Sequence, residues 1–518
     1  MLTRFALLIV CVPALELELS RSDLSLRVDT ERKLVHGVAT LHIKAAGEPV
    51  SRARFSLNDR LVPSSVQRDG SAVRFERGER IAEGRAIEVV LEPPLPAGAE
   101  CRLTFEYEGL GEDPDEQGSD WMGILLVRED EVRMSHQAQW CPIVPRDDAA
   151  RSKLAAPIEL ELDLPAGFES LGPGTLRGVK KSKGREVHSL SSERPVQPSI
   201  LAGKFRSQSV KRDKTTIRVL SFPEHASGAK AWAEDAGKSL EALGTLLGKL
   251  DVASYGLGEM RVRNRSKSYN YEADGFSVYD GVLFDGRAPD ARKIAHEVGH
   301  LWFGAAADAS GPGERFLTEG LAEHAAWLAL ESRSGEGAAI EAAKSSLGRY
   351  FGSTGAEASL VEADFSSPRY SPVVYAKGSF ALRTLRAWIG PDPFLAGLRA
   401  YVAGARSKRG AATLEDFLAA MRTAGGAAVD AWAEDWLRHA GAPTYAVELT
   451  GEKAGKLVQK GALYHNPVEL ELVLCGGKKQ TLLLTPSALE EPWTASVPAK
   501  IDSVTIDPRM LILFERPR

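Results

Sequence analysis

The segment HEVGH at residues 296–300 constrains this chain more than any other, because it sets two histidines four positions apart. Residues at i and i+4 share one face of a helix, so a helix here brings the imidazoles of His296 and His300 together. Two imidazoles placed in this way can bind one tetrahedral zinc ion, and Glu297 lies one step along the same turn. The sequence therefore predicts a helix over residues 291–303 that carries two metal ligands and a candidate general base.

A carboxylate that can serve as a third metal ligand follows at Glu319, in the stretch RFLTEGLA at residues 315–322. Eighteen residues separate it from His300, which allows one helix to end and a second helix to return. Two histidines and one glutamate leave the fourth position of a tetrahedral site open for water. We therefore expect one zinc ion bound by His296, His300 and Glu319, with Glu297 as the base.

Short segments with alternating polar and apolar residues dominate residues 15–205, for example at 24–28, 38–43 and 158–163. This period of two is typical of strands with one exposed face. Proline and glycine interrupt the pattern at 92–98 and 164–167, as expected for turns between strands. The sequence predicts an N-terminal antiparallel β domain over residues 15–205.

The pattern changes near residue 206, where apolar residues begin to recur at helical spacing. Predicted helices cover residues 230–250, 291–303, 319–332, 379–388 and 413–424. Alternation returns after residue 443 and predicts a small C-terminal β-sandwich over residues 444–518. The predicted fold class is multidomain α+β, with a mainly helical domain over residues 206–443 that carries the histidine pair.

The residues around the histidine pair, IAHEVGHLWFG at 294–304, resemble the zinc helix of the gluzincin zinc aminopeptidases, which include aminopeptidase N and the leukotriene hydrolase. The gap to Glu319 is similar to the spacing in that family, and VYAKG at 374–378 resembles its tyrosine motif. The resemblance implies that Tyr375 is the catalytic tyrosine, whose phenol would stabilise the oxyanion that forms during hydrolysis. It also implies that the helical domain is thermolysin-like.

The chain departs from the family in the motif that contacts the free amine of the substrate. Family members carry Gly-x-Met-Glu-Asn upstream of the zinc helix, whereas this chain has YNYEADG at 269–275. The resemblance implies that Glu272 binds the amine; Asp274 is a rival with the same chemistry, and a solvated loop is the alternative. The segment SHQAQW at 135–140 lies where family members present a substrate-contacting glutamine, which implies that Gln137 or Gln139 lines the cleft.

These features predict a zinc metallopeptidase that removes N-terminal residues from peptides. One alternative is a zinc endopeptidase, or another zinc hydrolase, that does not select for a free amine. A second alternative is a catalytically silent binding scaffold. The presence of all three ligands together with Glu297 and Tyr375 favours an enzyme.

The net charge and the hydropathy of the chain limit the kinds of partner that the sequence predicts. The net charge is −5, and no basic stripe with interleaved aromatic residues indicates a nucleic acid partner. No later apolar run approaches the roughly 20 residues of a membrane span. An apolar run at residues 5–12 that ends near Ala14 predicts an export signal over residues 1–14 and a periplasmic or extracellular location. The alternative is that these residues begin the first strand of a cytoplasmic protein. The sequence does not indicate an oligomeric state.

Overall fold

The computed structural model describes residues 17–81, 84–111, 125–144, 155–261, 270–284, 288–407 and 412–515. The predicted export signal at residues 1–14 lies outside the described residues. The described part divides in chain order into β sheets, a mixed region rich in helices, and two further small sheets.

The N-terminal part consists of strands. Its strands are β1 (Leu17–Asp29), β2 (Leu34–Ala45), β3 (Val50–Asn58), β4 (Leu61–Arg68), β5 (Ser71–Ala72), β6 (Phe75–Ile81), β7 (Gly84–Leu95), β8 (Glu100–Leu110), β9 (Leu125–Val127), β10 (Glu131–Met134), β11 (Ala156–Pro165), β12 (Glu169–Leu171), β13 (Thr175–Ser182), β14 (Arg185–Val196) and β15 (Ile200–Gly203). They form an eight-stranded sheet in the order β13-β14-β11-β1-β2-β8-β4-β5, a three-stranded sheet β3-β7-β6 and a four-stranded sheet β12-β15-β10-β9.

The alternation of polar and apolar residues along the sequence explains why these segments form the strands of the large sheet. In β2 every second residue is buried from Val35 to Ala45, because successive side chains of a strand point to opposite faces. The pairs in this sheet are antiparallel except that β1 pairs in parallel with β11, with Leu24 opposite Leu160. The apolar faces enclose a core with Leu26 and Phe105 fully buried.

The middle part contains a five-stranded sheet and helices. The strands are β16 (Arg206–Arg212), β17 (Thr215–Ser221), β18 (Ser254–Met260), β19 (Asn270–Ala273) and β20 (Phe276–Asp280), in the order β16-β17-β18-β20-β19. The helices are α1 (Ala229–Leu247), α2 (Ala291–Gly299), α3 (Leu321–Ser334), α4 (Glu336–Phe351), α5 (Gly378–Ile389), α6 (Pro391–Ser407), α7 (Leu414–Gly425) and α8 (Ala428–Trp432). The strand β19 is therefore an edge strand, and it pairs in antiparallel fashion with β20.

Two predicted helix boundaries beside the candidate metal ligands differ from the structure. The helix expected over residues 291–303 ends at Gly299, and its last part is a turn. The helix expected to begin at Glu319 is preceded by a π-helical turn, Phe316–Gly320, which contains Glu319, so that α3 begins at Leu321. Such wide turns insert one extra residue per turn and occur often at functional sites, and no residue pattern predicts them.

The C-terminal part forms two three-stranded sheets, β21-β22-β25 and β24-β23-β26, and agrees with the predicted small β-sandwich. Its strands are β21 (Thr444–Leu449), β22 (Ala454–Lys460), β23 (Val468–Leu474), β24 (Lys479–Leu484), β25 (Glu490–Thr494) and β26 (Ile501–Ile506). Leu457 from one sheet and Leu470 from the other are fully buried in one core that continues into the helices. Within the described residues, no helix is long and apolar enough to cross a membrane.

Candidate metal centre and active site

The helix α2 carries the histidine pair and is held at both ends. Its first turn is capped by Asp290, whose side chain accepts a hydrogen bond of 3.1 Å from the backbone N–H of Lys293. Just past its end, the indole N–H of Trp302 donates to the carbonyl of Gly248 at 2.9 Å. Capping and this buried indole fix the direction in which α2 presents its side chains.

Close packing brings α2 against α3. A Cβ atom on Gly299 would lie 3.2 Å from the carbonyl oxygen of Ala322 and from Cβ of Ala325, so a larger residue would push the two helices apart. The absence of a side chain at Gly299 therefore permits the approach that lets a residue just before α3 reach the histidines.

The three predicted ligands converge on one point. Nε2 of His296 and Nε2 of His300 each lie 3.4 Å from the same oxygen, Oε2 of Glu319. One ligand atom from each of the three residues falls within 4.8 Å of the others. Both histidines are only 7 % exposed. Two imidazoles and a carboxylate around one point form the donor set of a catalytic zinc site.

Hydrogen bonding prepares these imidazoles for a metal. Nδ1 of His300 lies 3.0 Å from the carbonyl oxygen of Phe303, which can only accept, so Nδ1 carries a proton and Nε2 supplies the lone pair when the imidazole is neutral. Before a metal binds, burial opposes protonation, but the charge of Glu319 outweighs it and raises the pKa of His300 to about 10. The same balance, with Glu319 and Glu323 nearby, raises the pKa of His296 to about 9. Metal binding at this site must therefore release protons.

Glu297 points into the same site from α2. Its side chain is buried, and burial raises the pKa of its carboxyl above the usual value, although the two histidines oppose this. A carboxylate with a raised pKa beside a metal position can accept a proton from water and later return it.

Tyr375 reaches the site through a second π-helical turn, Pro372–Lys377. This turn packs against the turn that contains Glu319, because two glycines meet there: a Cβ atom on Gly378 would lie 3.3 Å from Cα of Gly320. The phenol ring of Tyr375 stacks 5.5 Å from the ring of His296. Burial and the charge of Glu319 raise the pKa of Tyr375 well above its usual value, so the phenol keeps its proton and can donate it in a hydrogen bond.

All of these side chains line one cavity of about 440 Å³. Its other walls come from the 3₁₀ turn His136–Ala138 that follows β10, from the edge strand β19, and from the first turn of α2. A recess of about 350 Å³ shares Arg349 and Ser371 with it. The N-terminal sheets and the helical part therefore both contribute to the site.

Residues 287–436, which contain the ligands, Glu297 and Tyr375, match the family model described as the peptidase family M1 domain. This region of the chain is a peptidase family M1 domain. The resemblance to gluzincin aminopeptidases seen in the sequence is thereby confirmed.

Curated relatives and solved structures agree with the M1 assignment. A probable aminopeptidase 2 of Sulfurisphaera tokodaii is 28% identical over 211 residues, which are 38% of this chain and 26% of that protein. An aminopeptidase 2 of Candida albicans is 25% identical over 335 residues, or 60% of this chain and 35% of that protein. The chain thus spans about a quarter to a third of the length of these relatives. An M1 zinc metallopeptidase from Deinococcus radiodurans shares the fold with a TM-score of 0.66, at 20% identity, over 82% of this chain and 95% of the other, which confirms the predicted fold class.

Glu272 precedes the matched M1 domain in the chain; it lies on the edge strand β19 and lines the same cavity. Its Oε1 atom is buried and has no hydrogen-bond partner within the part of the chain that the structure describes. Burial, together with the charge of Asp274, raises the pKa of Glu272 well above its usual value. A buried acceptor without a partner is costly, and a cationic group in the cavity would remove that cost.

Asp274, the rival predicted from the sequence, also lines the cavity but has a partner inside the protein. It accepts a hydrogen bond of 2.5 Å from the backbone N–H of Gln197. Burial raises the pKa of Asp274 to about 6. Of the two acids, Glu272 is therefore the one with a buried acceptor atom that lacks a partner among the described residues.

The two candidate glutamines have different positions. Gln137 lines the cavity. Gln139 does not: it ends the 3₁₀ turn with φ of 52°, and its side chain accepts a hydrogen bond of 2.5 Å from Oγ of Ser56 on β3. Because this left-handed residue turns its side chain into the N-terminal sheets, the expectation that Gln139 lines the cleft is corrected here.

The sequence analysis did not select Glu323, which lies next to the ligands. Its Oε2 atom is 3.1 Å from Nδ1 of His296, and its Oε1 atom accepts hydrogen bonds from Arg292 at 2.6 Å and from Trp327 at 3.3 Å. Although burial opposes ionisation, His296 and Arg292 lower the pKa of Glu323 to about 2. The sequence could have indicated Glu323 through its spacing, because it lies four residues after Glu319 and residues with this spacing share one face of a helix.

Proposed function

We propose that this chain is a zinc-dependent aminopeptidase that hydrolyses the first peptide bond of peptides with a free N-terminus. The observation that carries this proposal is that one cavity contains a His-His-Glu donor set and, beside it, the buried, unpartnered carboxylate of Glu272. The first group is suited to peptide hydrolysis, and the second is suited to an ammonium.

The residues fit a zinc ion in the donors that they offer and in the prepared lone pair of His300. His296, His300 and Glu319 would hold the ion. When bound, zinc supplies a Lewis acid that polarises a carbonyl group and lowers the pKa of water. The described M1 relatives, among them a structure from Deinococcus radiodurans described as a zinc metallopeptidase, support this assignment.

Glu297 and Tyr375 have different roles in the proposed hydrolysis. Glu297 accepts a proton from the attacking water and returns it to the leaving amine, a role suited to its raised pKa. The phenol of Tyr375 donates a hydrogen bond to the oxygen on which negative charge develops. Glu297 lies on the capped helix α2, and Tyr375 lies in a π-helical turn that packs against the turn containing Glu319, so the geometry of both side chains is set before the substrate enters.

Glu272 makes the enzyme an exopeptidase in this proposal. The ammonium of a peptide N-terminus would pair with the carboxylate of Glu272, and in a buried cavity such a pair is much stronger than at the surface. A Deinococcus radiodurans M1 zinc metallopeptidase variant is described as bound to a Tyr-Ser-Ala substrate, which supports peptides as the substrate class.

The test compares matched substrates that differ only in the N-terminal amine, such as alanyl-alanine amide and its N-acetyl derivative. We expect the purified protein to contain one zinc per chain and to cleave only the free-amine member. Activity should vanish after chelation and return with zinc. Circular dichroism before and after chelation controls for unfolding.

Other outcomes point to other functions. Cleavage of the acetylated substrate at a similar rate would contradict the role of Glu272 and indicate an endopeptidase or another zinc hydrolase. Bound zinc without cleavage of any peptide would indicate a binding scaffold.

A further inference from the structure

Lys293 lines the catalytic cavity with an ammonium that has no partner within the described residues. Its backbone N–H bonds to Asp290, while its side chain makes no hydrogen bond or ion pair there. Lys293 precedes His296 by three residues and Glu297 by four, so it shares their face of α2. The side chain is half-buried, and a cation in this position is available to a ligand in the cavity.

Two arginines make this side of the cavity basic. Arg292 donates to Glu323 at 2.6 Å, and Arg349 lies 3.6 Å from the same carboxylate and donates to Ser346 at 2.9 Å. Both arginines line the cavity. Together with the ammonium of Lys293, the two guanidinium groups place three positive charges on this side, against the two carboxylates of Glu323 and the helix-capping Asp290, so positive charge is in excess.

The acidic and the basic groups of the cavity act on different metal ligands. The charged groups that act on Glu272 include Asp274 and, among the histidines, His300. The arginines instead contact Glu323, which lies 3.1 Å from His296. His300 therefore faces the acidic side and His296 faces the basic side. A peptide whose amine lies at Glu272 and whose scissile carbonyl lies at the ligands directs its leaving group toward Lys293.

We propose that Lys293, supported by Arg349, binds a carboxylate on the leaving-group side of the scissile bond. The carboxylate is either the C-terminus of a dipeptide or the acidic side chain of the residue after that bond. The cavity of about 440 Å³ is the size of a small-molecule site, so it suits a short peptide whose terminal carboxylate stays within it. This inference rests on the proposed aminopeptidase activity and names its preferred substrates.

Two substrate pairs test the site, each with one member that lacks the negative charge. The first pair is alanyl-alanine and alanyl-alanine amide, which reports on a C-terminal carboxylate. The second is alanyl-aspartate amide and alanyl-asparagine amide, which reports on an acidic side chain. For at least one pair we expect kcat/KM to favour the charged member by about ten-fold, as for a charge-assisted hydrogen bond. The preference should weaken as the salt concentration rises.

The variant Lys293→Gln should reduce the ratio of kcat/KM between the charged and the uncharged substrate to about two-fold or less. Lys293→Arg keeps the positive charge and should keep most of this ratio. Because each ratio compares two substrates of one protein, a general loss of activity cancels. Lys238→Gln, an exposed lysine on α1, is the matched control and should keep the wild-type ratio.

The outcomes separate this inference from the proposed function. Equal cleavage of both members by the wild-type protein would overturn the carboxylate site but leave the aminopeptidase intact, and this result needs no variant to fold. An unchanged ratio in Lys293→Gln would also overturn it. Failure to cleave any of the four substrates, with zinc bound, would instead contradict the proposed function.

Discussion

The acids at the metal ligands and the acids on the edge strand share one cavity but differ in how their charge is balanced. Cationic side chains surround Glu319 and Glu323, and although burial opposes it, they lower the pKa of both carboxyl groups. On and beside β19, burial raises the pKa of Glu272 and of Asp274, and the charges of His300 and Arg194 oppose this without outweighing it. The first region is neutralised by the protein itself, whereas the second is left to be neutralised by a ligand.

Under the proposed function, this difference explains how one buried site binds both a metal and an amine. Unpaired buried charge is costly, so a protein keeps it where a substrate will supply the partner. Glu297 combines features of both regions, because it belongs to the ligand helix and yet has a raised pKa. The following experiments test this division of roles, in order of decreasing expected effect.

Glu297→Gln should lower kcat by about a thousand-fold, because an amide of the same shape cannot accept the proton of water. The zinc content should stay at one per chain, since Glu297 is outside the donor set. Steady-state kinetics and metal analysis measure both quantities. Glu341→Gln, an exposed pair partner of Lys344 on α4, is the control for a surface carboxylate. Loss of zinc in parallel with activity would assign Glu297 to the ligands instead.

Glu272→Gln should reduce kcat/KM for free-amine dipeptides by about a hundred-fold, because a buried ammonium would lose its charged partner. The zinc content should not change, because Glu272 on the edge strand β19 is not one of the predicted metal ligands. Any residual cleavage of N-acetyl substrates serves as the internal control and should be affected far less. A matching loss on both substrate classes would argue against amine binding at Glu272.

Glu323→Gln should weaken zinc binding by about ten- to a hundred-fold, as is typical when a carboxylate behind a metal-binding histidine is removed. Competition with a chromogenic chelator measures the affinity. Glu331→Gln on the same helix breaks an ion pair of 2.7 Å with Arg386 away from the metal and is the matched control. Equal zinc affinity in both variants would mean that Glu323 only stabilises the helices.

Asp274→Asn should raise the melting temperature of chelator-treated protein at pH 7.5 by about 2 °C, with a smaller gain at pH 4. The folded-state pKa of Asp274 is raised to about 6 from 3.8, so the wild type loses the associated stability as the pH rises through this window. Asparagine does not ionise but can still accept the hydrogen bond from Gln197. Scanning calorimetry across this pH range gives the difference, and a gain that is independent of pH would disprove the assigned pKa.

Much of the fold and the metal end of the site could be predicted because their signals are local. The spacing of His296 and His300 predicts one helical face, and alternation along β2 predicts a half-buried strand. The choice between Glu272 and Asp274 stayed open in the sequence, because it depends on whether the backbone of Gln197, far away in the chain, occupies one of them. The domain boundaries at residues 205 and 443 and the catalytic roles of Glu297 and Tyr375 stay predictions.

By itself the sequence predicted the three candidate ligands and the α+β class, since helical and strand periodicity act over a few residues. Tertiary structure decided the rest of the site. It turned Gln139 into the N-terminal sheets, placed Glu323 behind His296, and left the ammonium of Lys293 and Oε1 of Glu272 in one cavity without partners among the described residues. These outcomes depend on which distant elements pack together and on which polar groups that packing leaves unsatisfied, and no short-range pattern records either.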